Sequence, residues 1–237
     1  MNATRLIDLL ARGADDAPAL RAPGASVLTH GELRRLVAAT VEALNRAGLG
    51  RGDRVAIVLP NGPEMATAFL GTAAGAVAAP LNPGYTEAEF RFYLEDLRAK
   101  AVILLPGESA ARNAANSCGV AALDLLAPAA GSAPGVFTLS GVTAHQTASP
   151  GFASDGDVAL VLHTSGTTAR PKIVPLSQAN LCASASNIAS ALALRPSDLC
   201  LNVMPLFHIH GLIGALLSSL SAGAAVALSR GEHERQV

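Results

Sequence analysis

Apolar positions in this chain come in two rhythms. Short unbroken runs, Arg54-Val-Ala-Ile-Val-Leu59, Val77–Pro80, Ala101-Val-Ile-Leu-Leu105 and Asp157-Val-Ala-Leu-Val-Leu-His163, have the length of strands buried on both faces. Between them the spacing becomes helical. Leu33, Leu36, Val37 and Leu44 line one face of a helix with Thr29 as its cap, ended by Gly48 and Gly50. With the extended Ser26–Thr29, residues 1–50 read as two helical pieces around a short strand. Pro60-Asn-Gly-Pro63 closes the first run, and Pro63 suits the first turn of a helix reaching about Ala76. Thr86-Glu-Ala-Glu89 is a capping box, followed by Phe90, Tyr93, Leu94 and Leu97 on one face. Parallel neighbours need crossover connections, so alternating strand and helix predicts an α/β fold with mostly parallel sheets flanked by helices.

From Pro106 to Asp157 the pattern fades into small residues, prolines and glycines around one short helix and one strand. Order resumes with the Asp157–His163 strand, an extended Ile173–Leu176, a helix begun at Ser177 and a strand Leu199–Met204. Between Leu199 and Ser229 there is no Asp, Glu, Lys or Arg, but Asn202, Pro205, His208, His210, three glycines and four serines make a membrane span costly.

Charge narrows the partners. With 17 basic and 18 acidic residues the net charge is −1, which offers no basic surface to nucleic acid or an anionic membrane. Cys118, Cys182 and Cys200 are odd in number and form no C-x-x-C pair, which argues against a disulfide framework or a zinc site. Asp8 interrupts the region where a signal peptide would be apolar, so the cytoplasm is the expected compartment.

Chemistry concentrates in Thr164-Ser-Gly-Thr-Thr-Ala-Arg-Pro-Lys172, at the end of a hydrophobic strand. Gly166 lets backbone N–H groups approach an anion, the hydroxyls add donors, and Arg170 or Lys172 offsets charge. A polar Ser/Thr turn between strands has the same composition. Lys172 lies between Pro171 and Ile173, which excludes a Walker A loop, and Gly48-Leu-Gly-Arg-Gly52 has the wrong spacing for a dinucleotide fingerprint. Ser165 lacks the flanking glycines of a nucleophile elbow.

This loop resembles the signature phosphate loop of the adenylate-forming superfamily, which includes the acyl-CoA synthetases. Gly52-Asp-Arg-Val-Ala-Ile-Val-Leu-Pro-Asn61, with Phe69-Leu-Gly71 and Gly75–Pro83, is similar to the family's early core segment. Met204-Pro-Leu-Phe-His-Ile-His-Gly-Leu212 is similar to the segment after the loop. Ala169 departs from the commoner Gly. The resemblance implies the family's large N-terminal domain, with one lobe of about residues 1–45 plus 200–237 and another of about 46–199. It also implies ATP with Mg2+, CoA and a small carboxylate as substrates, without a tightly bound cofactor, and makes the chain an acid-thiol ligase by family.

On that basis Thr164, Ser165, Gly166, Thr167, Thr168 and Lys172 are the expected phosphate contacts. His208 is expected beside the acyl group in the catalytic site, with His210 as a second substrate contact. As bare residues, His208 and His210 could also be metal ligands, or core or capping histidines; no Cys, Asp or Glu stands at ligand spacing. The second histidine, the following Gly211–Val226 and Arg170–Pro175 resemble the oxalyl-CoA synthetase branch, which implies a small diacid such as oxalate. The family's Tyr-Gly-x-Thr-Glu segment, ribose-binding Asp, hinge and C-terminal catalytic Lys have no counterpart before Val237, so the expectation is an N-terminal fragment, inactive alone. A non-catalytic nucleotide-binding or interaction module is the alternative.

Overall fold

Helix α3 (Pro63–Gly75) runs through the middle of the molecule, with Pro63 at its first turn and nearly every residue from Met65 onward buried. A helix apolar all round must be covered all round. In the computed structural model, which describes residues 3–128, 132–141, 145–164 and 171–229, two sheets and their helices provide that cover.

The larger sheet contains β3 (Arg54–Val58), β4 (Val77–Pro80), β5 (Ala101–Leu104), β6 (Ala121–Leu126), β7 (Thr138–Ser140), β8 (Val158–Thr164) and β9 (Lys172–Ser177), in the order β7-β6-β5-β3-β4-β8-β9. Its centre is parallel. Among the described residues only β7 and β9, at the two edges, run antiparallel to their neighbours. The smaller sheet is β10-β11-β1-β2, from β1 (Pro18–Arg21), β2 (Leu28–Thr29), β10 (Leu199–Asn202) and β11 (Ala225–Leu228).

One apolar core joins the sheets. It contains α1 (Leu6–Leu10), α2 (His30–Arg46), α3 and α6 (Gln178–Ala191), with one face of β3 and β8 and the inner face of β1 and β11. A second core lies on the other side of the larger sheet, under α4 (Glu87–Leu97) and α5 (Ala110–Cys118). Close approach of α2 and α3 depends on two glycines. A Cβ at Gly71 would stand 2.6 Å from the Thr40 side chain, and one at Gly75 would stand 2.7 Å from Val41.

Helix starts follow the sequence signals. Thr29 caps α2 and Thr86 caps α4 in reciprocal boxes with Glu32 and Glu89, and Ser177 caps α6 with Asn180. Each cap is worth about 1 kcal/mol.

Four strand assignments differ from the sequence reading. β1 and β11 are absent from it: each is four residues long, and they pair in parallel, Leu20 opposite Val226 far along the chain. The Pro106–Asp157 connection holds a second strand, β7. β10 stops at Asn202 rather than Met204, because the Asn202 Oδ1 accepts the Met204 N–H and turns the chain. No helix among the described residues is long and apolar enough to cross a membrane, and all three cysteines are free.

Candidate functional site

Strands β8 and β9 form a hairpin whose register runs from Val158 opposite Ser177 to Thr164 opposite Lys172. β8 is parallel to β4, so the end of the hairpin at which β8 passes to β9 points to the carboxyl rim of the larger sheet, where ligands gather in open α/β folds. Lys172 is the first residue of β9 and is exposed at that end. Ser165, Gly166, Thr167, Thr168, Ala169 and Arg170 lie outside the described residues, as does the side chain of Thr164. Of the predicted phosphate contacts, the structure therefore places Lys172 and the backbone of Thr164.

The second predicted segment reaches this rim from the other sheet. Asn61 follows β3 at its carboxyl end, and its Oδ1 accepts the backbone N–H of Leu206 at 2.9 Å. That bond fixes Pro205–His208 against the larger sheet. Asn202 braces the same turn from within, its Nδ2 donating to the Gly211 carbonyl at 3.1 Å. Gly211 is needed here: a Cβ would come within 2.5 Å of the Pro205 carbonyl oxygen.

A π-helix, His210–Leu217, follows and runs into α7 (Ser218–Ser221). Wide helical turns of this kind are rare and frequent at functional sites. They place His208 and His210 at the exposed start of an otherwise buried apolar element. Neither is a core histidine. The His208 ring packs on Phe207 with centroids 4.4 Å apart. Among the described residues no group of three or more His, Cys, Asp or Glu is arranged to hold a metal ion.

Two polar residues that the sequence did not single out support this arrangement. Gln178 is buried, and its Oε1 accepts the Leu6 N–H at 2.9 Å while its Nε2 donates to the Ala73 carbonyl, joining α1, α3 and α6. His163, one residue before the end of β8, lies 3.0 Å from Asp96 of α4. Gln178 follows a cap and His163 ends an apolar run, so neither had a local signal.

Comparison with known proteins gives one answer. Residues 9–237 match the family described as AMP-binding enzyme. "Probable CoA ligase CCL9" of Humulus lupulus is 42% identical over 231 residues, 95% of this chain and 43% of that protein. "Oxalate--CoA ligase" of Arabidopsis thaliana is 40% identical over 226 residues, 94% of this chain and 44% of that protein. The ATP-bound structure of MatB from Rhodopseudomonas palustris superposes with a TM-score of 0.78 at 27% identity, over 96% of this chain and 45% of that one. The chain thus spans less than half the length of these proteins.

Proposed function

This chain belongs to the AMP-binding enzyme family, and from that membership we propose that it is the phosphate-handling part of an acyl-CoA synthetase. In the whole reaction a substrate carboxylate oxygen bonds to the α-phosphorus of ATP, and the bond to the bridging oxygen breaks to release pyrophosphate. The CoA sulfur then bonds to the acyl carbon, and AMP leaves with the carboxylate oxygen. In this reading Thr164, Ser165, Gly166, Thr167, Thr168 and Lys172 hold the phosphates. His208 borders the carboxylate, and His210 adds a polar contact. Mg2+ belongs to the MgATP substrate.

The observation that carries the proposal is the shared rim. Lys172, the first residue of β9, stands opposite Thr164 at the carboxyl end of β8, and Asn61, at the carboxyl end of β3 in the same sheet, holds the segment bearing His208. A cation and an imidazole gathered there suit a triphosphate and a carboxylate bound together, and positioning of this kind is the main source of catalysis in such reactions. The two lobes of the reading are about residues 1–45 with 200–237, and about 46–199. The likeness to an oxalate–CoA ligase supports a small diacid as acyl substrate. A polar site discriminates more strongly than an apolar one.

The 237 residues contain no counterpart of the family's Tyr-Gly-x-Thr-Glu segment, so the reading expects MgATP binding without thioester formation from this chain alone. Calorimetric titration with MgATP tests it: Lys172→Ala weakens binding about 10–100-fold, the worth of one charge-assisted hydrogen bond. No binding by the unaltered chain sinks the proposal. The exposed apolar face of β10 favours a second reading, an interaction module. Thioester formation by a longer form of the protein decides against that one.

A further inference from the structure

The carboxyl end of β8 carries a polar cluster that the phosphate-handling reading does not use. Along β8, Leu160 faces the central core and Val161 faces α4; two residues on, His163 is on the α4 side as well. Its side chain is 8% exposed and needs a partner. Nε2 lies 3.0 Å from the Asp96 Oδ2, and the ring meets the Tyr93 ring edge-on at 4.7 Å. An ionised carboxylate only accepts, so Nε2 carries the proton and donates it.

Asp96 stands where a helix alone would disfavour it. It lies in the last turn of α4, which has no basic residue, and a negative charge there opposes the helix dipole. The turn is nevertheless pinned, because the Arg54 Nη1 donates to the Leu97 carbonyl at 2.9 Å. On its other side Tyr93 stacks on Tyr85, with centroids 4.9 Å apart. Asp96 is thus a fixed acceptor at the edge of a rigid helix. His163 pairs in register with Ile173, the neighbour of Lys172.

We propose that Asp96 and His163 are positioning residues, holding the loop end of the β8–β9 hairpin against α4 so that Lys172 is set for the phosphates. The functional half of this proposal rests on the reading of the site given above. Among the described residues β9 is an edge strand, with β8 as its single partner in the sheet. An edge hairpin is held to the sheet on one side, so without an anchor its loop end can shift away from α4, and a displaced Lys172 loses the geometry that charge-assisted bonds require.

Amide hydrogen exchange of the nucleotide-free chain, followed in peptides covering 158–164 and 171–177, tests the anchor. Asp96→Ala and His163→Gln each speed exchange at 171–174 about tenfold, the worth of one hydrogen bond. The double variant is no faster than either single one, and Asp96→Asn, which keeps an acceptor for Nε2–H, stays within about threefold of the unaltered chain. Thermal denaturation confirms that each variant is folded; Asp96, at the surface, carries the test if His163→Gln is not.

The second arm is MgATP affinity, which falls about tenfold in Asp96→Ala and is recovered in Asp96→Asn. Unchanged exchange in Asp96→Ala overturns the proposal, as does equal damage from Asp96→Asn. If exchange responds while the unaltered chain binds no MgATP, the anchor stands and the phosphate-handling reading falls. If exchange responds and MgATP affinity does not, the positioning role is overturned.

Discussion

Asn61 and Leu206, 145 positions apart, are joined by a side chain to backbone hydrogen bond of 2.9 Å. It connects the loop after β3 to the segment bearing His208, and so connects the two sheets at the proposed site. Asn61→Ala leaves the Leu206 N–H without its acceptor, at a cost of about 1–3 kcal/mol. For a chain of this size each kcal/mol lowers Tm by about 2–4 °C. Asn61→Asp keeps an acceptor and should retain most of the stability. Equal melting temperatures for Asn61→Ala and the unaltered chain would show that the bond does not hold the two parts together.

Gly13 lies against the ring of His30, and a Cβ there would stand 2.2 Å from Nδ1. Neither element can retreat easily, since Arg34 donates to the Leu10 and Gly13 carbonyls and holds α1 to α2. Gly13→Ala should destabilise the fold by about 1–3 kcal/mol through overpacking. Urea unfolding measures it. A loss below about 0.5 kcal/mol would mean that the ring can move aside.

His30 itself sets a pH dependence. It is buried, and among the described residues neither ring nitrogen has a hydrogen-bond partner, although the Gly223 and Ala224 backbone lies close. Burial lowers its pKa below the ordinary 6.5, and the Arg34 charge acts in the same direction. The unfolded chain therefore takes up the proton first. The stability that comes from a neutral His30 is present above about pH 6.5 and is lost as pH falls from there to the lower folded value. An imidazole titration followed by NMR should place His30 below 6.5, and Tm should fall less steeply with acid in His30→Leu. A His30 midpoint at or above 6.5 contradicts this account.

β10 presents Leu199 and Leu201 on one face at 55% and 68% exposure, with Val203 just past its end at 63%, at the edge of the smaller sheet. An exposed apolar edge strand is a site for association. Sedimentation should show concentration-dependent self-association, reduced by Leu201→Lys, with a change in stability of no more than about 0.5 kcal/mol. Association that is indifferent to this substitution would place the contact elsewhere.

Much of the fold was determined locally. The strands at Arg54, Val77 and Ala101 are continuous apolar runs; Thr29, Thr86 and Ser177 start helices through bonds to the residue three positions on, and Pro63 starts one through its fixed backbone. Nearest neighbours in sequence suffice for such features. The three motifs read at Gly52–Pro83, Thr164–Lys172 and Met204–Leu212 also led to the family that the comparisons show. Tertiary structure decided the rest. β1 is a strand because β11 lies beside it; Leu20 and Val226 are brought together by the chain between them, and four residues with one exposed arginine carry too little pattern alone. β10 ends at Asn202 because that side chain caps its own turn. His163 and Asp96, and Asn61 and Leu206, acquire their roles from partners 67 and 145 positions away. A side chain's type and spacing fix what it can bond to locally, whereas which distant donor or acceptor reaches it depends on the packing of α3 and α4 against the larger sheet.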